Sequence, residues 1–234
     1  MRTRGGELLS DQPAPRRKPT PLAIIEAAER LFGGQGIEAV SLRQIRIEAE
    51  AANNSAVSYH FASREALVTA IWEHRLPTLD RLRGEMLDDL ARREMSGDAA
   101  GVLGALLLPN YQLRDAAGVH RYAAFYRHAM RWAPGAAIRR NYLALTPRSE
   151  EAMALYHRLR PGIAPAVLDR RLFYAALLFF DMVCDRDRDL AEGLTVAGEE
   201  AFLQDCMAMV EALCLRPDPG AGLVSPPPLA IAPR

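Results

Sequence analysis

Residues 41–65, SLRQIRIEAEAANNSAVSYHFASRE, are the most informative stretch of the chain, because they predict two short helices joined by a tight corner. A capping box of the S-x-x-Q form begins at Ser41 and starts the first helix. Asn53 or Asn54 can cap the second helix, and Ser63 can cap a third and much longer one. This arrangement predicts a helix-turn-helix, whose second helix normally enters the DNA major groove while its neighbours hold the backbone.

The same region carries a family resemblance. The stretches AIIEAAERLFGGQGIEAVSLRQI (23–45) and NNSAVSYHFASREALVTAI (53–71) resemble the DNA-binding domain of tetracycline-repressor (TetR) family transcription regulators. The most specific part is Y-H-F followed by a small residue, Ser, a basic residue and Glu, and the A-A-x-x-L-F opening supports it. The resemblance implies an all-α protein with an N-terminal helix-turn-helix domain and a larger helical ligand-binding and dimerisation domain.

The composition allows a packed core but no general attraction to polyanions. The chain has 234 residues, of which 50% are hydrophobic, and its formal net charge is zero. DNA binding must therefore rest on a few placed groups rather than on a basic field. Three cysteines late in the chain indicate buried thiols in a reducing cytosol. No apolar run approaches the roughly 20 residues that span a bilayer, so we predict a cytoplasmic protein with no membrane partner.

The positions of glycine, proline and helix-capping residues along the sequence predict four segments. They are a flexible basic arm at 1–19, the helix-turn-helix domain at 20–66, a ligand-sensing and dimerisation domain at 67–216 and a disordered tail at 217–234. A helix that begins at Thr20–Pro21 precedes the helix-turn-helix, and Gly33–Gly34 should end it. Pro77 lies inside the long helix that follows Ser63, so we expect a kink or break near Leu76.

Ten side chains are candidate DNA contacts, namely Ser41, Arg43, Arg46, Asn53, Asn54, Ser55, Ser58, Tyr59, His60 and Arg64. Asparagine pairs bidentately with adenine, and serine serves as donor or acceptor. The predicted recognition helix has no Arg or Lys, so Arg43 in the preceding helix is the best candidate for a guanine contact. The resemblance implies that Tyr59, His60 and the Ser41 hydroxyl contact phosphates. The amides near Arg64, at the start of the long helix, form a natural phosphate seat.

Structural alternatives stay open for several of these residues. Arg43 and Arg46 could instead solvate a helix face, and His60 could be a packed structural histidine. One of the two asparagines could serve only as a cap. The run Arg16–Arg17–Lys18 is either a solvated arm or a segment that contacts the minor groove or the phosphates.

The corner of the motif departs from the family pattern. Glu50 stands where the family usually has Gly, and the motif from Ser41 to Phe61 is one residue longer than the common form. An acidic residue close to DNA repels phosphate. The turn can therefore be remodelled, and the register of Asn53 and Asn54 in the recognition helix is defined only to within about one residue.

Two late segments predict the dimer interface. Residues 172–180, LFYAALLFF, are apolar all round, and residues 196–215 have a broad apolar stripe. Such helices need two partners, and the simplest second partner is the same pair from another copy in a four-helix interface, as in the family. The candidates are Leu172, Ala176, Phe180, Val183, Phe202, Met209, Val210 and Leu213. The alternative is a monomer with these helices at its centre.

The middle of the chain predicts a ligand cavity. Its helices mix aromatic, Met and His residues, which suits an apolar cavity with a few polar anchors. The candidates are Tyr111, Tyr122, Phe125, Tyr126, Met130 and Trp132. The alternative is that they are ordinary core, and no residue identifies the effector.

The motifs of enzymes and metal sites are absent from the sequence. It contains no G-x-x-x-x-G-K-[ST], G-x-S-x-G or H-E-x-x-H, so we predict no catalytic residue and no cofactor. Asp185, Asp187 and Asp189 mimic the opening of a calcium loop. Leu190 occupies the glycine position, however, and Val196 the position of the closing Glu, so we predict no metal either.

These observations together predict a homodimeric regulator of transcription. It would bind a near-palindromic double-stranded operator and be released by a small, apolar effector. Repression is the direction that the resemblance implies, and activation is the alternative. A further alternative is a helical dimer that binds small molecules and has lost DNA binding, because Glu50 disturbs the corner.

Overall fold

The structure, a computed structural model, describes residues 21–49, 61–135, 138 and 146–215. Within these ranges the regular elements are helices and no strand occurs, which confirms the predicted all-α class. The helices are α1 Pro21–Gln35, α2 Leu42–Glu48, α3 Arg64–Arg92, α4 Ala99–Gln112, α5 Arg121–Arg131, α6 Pro147–Leu159, α7 Pro165–Ala191 and α8 Glu199–Leu215.

Several predicted segments lie outside the described residues. They are the arm at 1–19, the corner and recognition helix at 50–60, part of the ligand-sensing domain within 136–145, and the tail at 217–234. The border between domains after residue 66 stays a prediction.

The predicted capping residues start α2 and α3. The Ser41 hydroxyl accepts a hydrogen bond from the Gln44 amide at 3.2 Å, and the Gln44 side-chain oxygen accepts from the Ser41 amide at 2.8 Å. The Ser63 hydroxyl likewise accepts from the Ala66 amide at 3.2 Å. Each cap satisfies amides that a helix start leaves without partners, so the two helix starts are set by local sequence.

The predicted end of α1 at Gly33–Gly34 is wrong. The helix continues to Gln35, and Gly36 follows it with φ of 87°, the left-handed conformation that favours glycine. Gly33 serves packing instead, because a Cβ atom there would lie 3.0 Å from the backbone nitrogen of Phe125 in α5. The small residue lets α1 and α5 approach closely.

The predicted break at Leu76 is also wrong, because α3 is continuous from Arg64 to Arg92. Pro77 cannot donate to the carbonyl of Glu73, which ordinarily weakens a helix. Pro77 is exposed, so water can reach that carbonyl. The buried residues Trp72 and Leu79 on either side hold both halves of the helix against the core.

The buried side chains form two main clusters. The first joins α1, α2, the first half of α3 and α5, and includes Phe32, Ile45, Trp72 and Phe125. The second joins α4, α6, α7 and α8. Because α5 belongs to the first cluster, the core of the predicted DNA-binding region continues into the middle of the chain.

The candidate dimer residues divide between core and surface. Leu172, Phe180, Val183 and Val210 are buried within one protomer, so they are not available to a second copy without repacking. Ala176 and Phe202 are partly buried, whereas Met209 and Leu213 are exposed at 44% and 42%. An apolar helix such as α7 found its second set of partners in α5 and α8 of the same chain.

Candidate DNA-binding surface and ligand cavity

Six of the candidate DNA contacts lie outside the described residues, as does Glu50. They are Asn53, Asn54, Ser55, Ser58, Tyr59 and His60. Their roles, and the register of the recognition helix, stay predictions.

The remaining candidates surround the two ends of that segment. Ser41 caps α2, and Arg43 stands exposed in its first turn. Arg46 lies in the last turn of α2 and is partly buried. Among the described residues, Arg43 is therefore an exposed arginine next to the Ser41 cap on the surface of α2.

Arg64 has a structural bond that sequence reasoning missed. Its Nε donates to the carbonyl oxygen of Val40 at 2.9 Å, which ties the start of α3 to the residue before the Ser41 cap. The adjacent Glu65 side chain also uses the start of α3. Hydrogen bonds from its own backbone amide and from the Ser63 hydroxyl hold the pKa of Glu65 below its ordinary value. A phosphate at this helix start would have to share amides with a carboxylate.

A buried ion pair holds α1 to α3. The Arg75 guanidinium donates from Nε and Nη2 to the two carboxylate oxygens of Glu29, both at 2.8 Å. Burial lowers the pKa of Arg75, but the hydrogen bonds and charge of Glu29 outweigh this and raise it above the ordinary value. The pattern of α1 offered a signal, since Glu29 lies between Ile25 and Phe32 at helical spacing, on the apolar side.

A cavity of about 540 Å³ lies among α3, α4, α5, α6 and α7. Its walls are mainly apolar and include Trp72, Tyr122, Tyr126, Phe173 and Phe180. Among the described residues, its polar lining side chains are those of Arg83, Asn110, Thr146, Ser149, Glu150, His157 and Asp169. Apolar walls with a few convergent polar groups are typical of small-molecule sites.

Three of the six predicted ligand contacts line this cavity, namely Tyr122, Tyr126 and Met130. They follow one another at four-residue intervals along α5, so they share one side of the helix. Phe125 lies on another side, with its ring 6.5 Å from that of Phe32. Trp132, just beyond α5, packs against the first cluster.

The sixth predicted contact, Tyr111, lies elsewhere, with its ring stacked 4.4 Å from that of His120. Three residues predicted for the dimer interface, Leu172, Ala176 and Phe180, also line the cavity. The rings of Tyr126 and Phe180 lie 4.8 Å apart in its wall. The sequence pattern identified these residues as buried but did not reveal what they face.

A second hollow of about 730 Å³ lies between the last part of α3, α4 and α8. Its lining is aliphatic and charged and includes Glu85, Asp89, Arg92, Arg93 and Glu211, with no aromatic residue among the lining side chains that the structure describes. The aromatic cavity is the better candidate for a ligand site because its polar groups converge on apolar walls.

The described ranges contain neither a candidate membrane-spanning helix nor a candidate metal site. No helix there is both long enough and apolar enough to cross a bilayer. In the same ranges, no three His, Cys, Asp or Glu side chains are grouped so that they could hold a metal ion.

Comparison with known proteins identifies the N-terminal region. Residues 24–71 match the family model for bacterial regulatory proteins of the tetR family, a match that spans most of α1, all of α2 and the start of α3. No curated protein matches the chain. Among solved structures, a proposed transcriptional regulator from Rhodococcus sp. RHA1 aligns over 85% of this chain and 96% of its own at 19% identity. The TM-score of 0.31 is too low to establish a shared fold.

Proposed function

Because this chain belongs to the tetR family of bacterial regulatory proteins, which regulate transcription by binding DNA, we propose that it is a ligand-responsive regulator that binds a near-palindromic operator as a homodimer. The observation that carries the proposal is the family match over residues 24–71. Inside that match, two capped helices and a shared core hold the ends of the segment at 50–60. The protein would act on DNA in the cytoplasm and would act as a repressor, as in the tetracycline-repressor pattern.

The effector would bind in the aromatic cavity and act through α3 and α5. Trp72 and Tyr122 line this cavity and also belong to the first cluster, which packs on α1 and α2. A ligand that moves these rings therefore presses on the core that supports the DNA-binding region. Binding would favour dimers whose two reading heads are wrongly spaced for the operator, which is a population shift.

The dimer would form through the exposed sides of α7 and α8. Tyr174, Met209 and Leu213 are exposed at 57%, 44% and 42%, respectively, and a second copy would cover them. These three replace the buried candidates Leu172, Phe180, Val183 and Val210 as the residues at the interface. Two copies related by a twofold axis would then present two recognition helices to two half-sites.

The test is selection of genomic DNA fragments by the purified full-length protein, followed by footprinting of the enriched site. We expect a short inverted repeat bound by a dimer. If a folded, dimeric protein enriches no fragment at low salt, the regulator proposal is wrong.

The second candidate function is a helical dimer that binds a small molecule and no longer binds DNA. Two observations favour it: the acidic Glu50 in the predicted corner, and the engagement of Arg64 and of the α3 start by other groups of the protein. Ligand binding without any DNA enrichment would be its signature.

A further inference from the structure

Among the described residues that line the aromatic cavity, one is an arginine. The side chain of Arg83, on α3, lines the cavity although the residue is only 7% exposed. Its Nε donates to the Ala105 carbonyl at 3.1 Å, Nη1 donates to the Ser149 hydroxyl at 2.6 Å, and Nη2 donates to the Leu106 carbonyl at 3.3 Å. All three acceptors are neutral.

Part of this arrangement is structural. Pro109 lies inside α4 and has no amide hydrogen, so it leaves the Ala105 carbonyl without its helical donor. The Nε of Arg83 supplies that donor. A guanidinium carries five N–H groups, however, and the three bonds leave one hydrogen on each Nη atom. A neutral donor would suffice for the carbonyl, so the charge of Arg83 needs another explanation.

The charge of Arg83 is not matched by a carboxylate within the described ranges. Asp80, one turn earlier, has an oxygen that accepts from the backbone amides of Arg148 and Ser149 at 3.1 and 3.2 Å, and it forms no ion pair with Arg83. Residues 136–145, AAIRRNYLAL, contain no acidic residue. A buried cation without a partner is costly unless something else supplies the negative charge.

Arg75, two turns earlier on α3, shows the contrast. Arg75 has the bidentate carboxylate of Glu29, and its pKa is raised despite burial. Burial lowers the pKa of Arg83, and the charge of Asp80 offsets this only in part. The same residue type on the same helix is therefore paired with a carboxylate at one position and, within the described ranges, only partly compensated by a more distant carboxylate at the other.

The acidic residues that line the cavity are far more exposed to solvent than Arg83. Glu150 is exposed, and the Asp169 side chain is 53% exposed and pairs with His157 at 2.8 Å. The cavity therefore has a buried cation inside, aromatic walls, and acidic groups where it meets solvent.

We propose that this cavity binds an apolar monocarboxylic acid, whose carboxylate pairs with Arg83 and whose hydrocarbon body lies against Tyr126 and Phe180. The two remaining Nη hydrogens suit a planar carboxylate, which accepts paired hydrogen bonds from a guanidinium. An alcohol would leave the charge unmatched, and an amine would place a second cation beside it. The inference rests on the proposed function only in taking this cavity as the effector site.

The test compares three ligands that differ only in their head group: decanoate, decanol and decylamine. Binding to the full-length protein without DNA is measured by titration calorimetry and by the change in tryptophan fluorescence, to which both Trp72 in the cavity wall and Trp132 contribute. Each ligand is kept below its aggregation limit. We expect decanoate to bind at one molecule per chain and about tenfold or more tighter than decanol, with decylamine weakest. Decanol or decylamine binding as tightly as decanoate overturns the proposal, and so does failure of all three to bind.

Variants then assign the head group to its partner. Arg83→Gln should bring decanoate binding down to that of decanol while leaving decanol unchanged. Arg81→Gln is the matched control, because Arg81 lies on the same helix but pairs with Glu85 at the surface. Retention of the decanoate preference in Arg83→Gln would place the acid elsewhere, for instance in the aliphatic hollow beside α8. Should Arg83→Gln not fold, the head-group comparison on the unchanged protein still decides for or against a carboxylate.

The outcome is separable from that of the regulator proposal. A protein that enriches an operator but does not prefer decanoate refutes this inference alone. One that binds decanoate and enriches no DNA loses the regulator role and keeps the carboxylate site. If the protein binds both decanoate and the operator but decanoate does not release the operator, the cavity binds the acid without being the effector site.

Discussion

Glu29 of α1 and Arg75 of α3 form a bidentate ion pair that joins the two helices. Glu29 has almost no exposed surface, whereas the Arg75 side chain is 27% exposed. The carboxylate accepts two hydrogen bonds from one guanidinium, so its charge is satisfied inside the protein. Removing either partner leaves the other unsatisfied, and the carboxylate has the poorer access to water.

We therefore expect Arg75→Met to lower the free energy of unfolding by about 3 kcal/mol or more, because it leaves Glu29 buried and unpaired. The double variant Glu29→Met/Arg75→Met should lose less, since no charge remains. Urea unfolding measures both. Arg81→Met, which removes only an exposed pair with Glu85, should cost about 1 kcal/mol or less. A double variant that is less stable than Arg75→Met would contradict this account.

Arg43 is the residue-scale test of DNA reading. It is exposed in the first turn of α2, beside the Ser41 cap. We expect Arg43→Ala to cost roughly 1–3 kcal/mol of operator affinity and to relax the base preference at one position. Binding to a panel of single-base operator variants measures this, with Arg81→Ala as the control. Equal loss on every sequence would make Arg43 a phosphate contact.

Among the helices, the end of α1 contains three glycines that differ in their structural roles. Gly33 has a packing role because α5 lies against it, and Gly36 has a conformational role because its φ is 87°. Gly34, between them in the chain, has open space around the position of a Cβ atom. Of these three glycines within four residues, two are thus required by different physical constraints, and the third is constrained by no neighbouring atom in the described residues.

This difference predicts opposite effects of the same substitution. Gly36→Ala should lower the free energy of unfolding by about 1 kcal/mol or more, because alanine is strained at positive φ. Gly34→Ala should raise it by about 0.5–1 kcal/mol, because the helix loses a flexible residue at an open position. Thermal or urea unfolding of the two variants measures the pair. Equal effects of the same sign would show that the left-handed turn does not limit the end of α1.

At the scale of the whole molecule, one core joins the region that would read DNA to the region that would bind a ligand. Trp72 and Tyr122 face the cavity and also belong to the cluster that includes Phe32 of α1 and Ile45 of α2. Well-packed cores respond to an inserted ligand by moving between discrete arrangements. Coupling between the two regions therefore needs no contact beyond those already in the core.

The proposed dimer makes its own prediction at this scale. Leu213→Glu should convert the dimer to a monomer, because it places a charge on an exposed apolar face of α8 without touching the protomer core. Light scattering measures the mass. Leu22→Glu, at an equally exposed position in α1, is the control and should leave the dimer intact. A dimeric Leu213→Glu would exclude this face. Phe180→Glu is unsuitable for this purpose because Phe180 lies in the core.

Features that depend on residues close together along the chain are readable from the amino-acid sequence alone. Helix starts at Ser41 and Ser63, the all-helical class and the family match over 24–71 follow from local capping, periodicity and motif spacing. Burial of Leu172 and Phe180 was equally readable from hydrophobicity, as was the aromatic side of α5 that carries Tyr126.

The tertiary structure is needed to establish which buried residues face one another. Periodicity shows that a side chain points inward but not whether it meets a cavity, a neighbouring helix or a second copy. The sequence pattern therefore favours an interface for Phe180, whereas the structure shows Phe180 in a cavity wall. The sequence alone does not distinguish Arg75 from Arg83, because both are arginines on the same helix. Their difference arises from Glu29, 46 residues away from Arg75, and from the neutral groups around Arg83. Electrostatic pairing depends on distance in space, which folding creates between residues far apart in the chain.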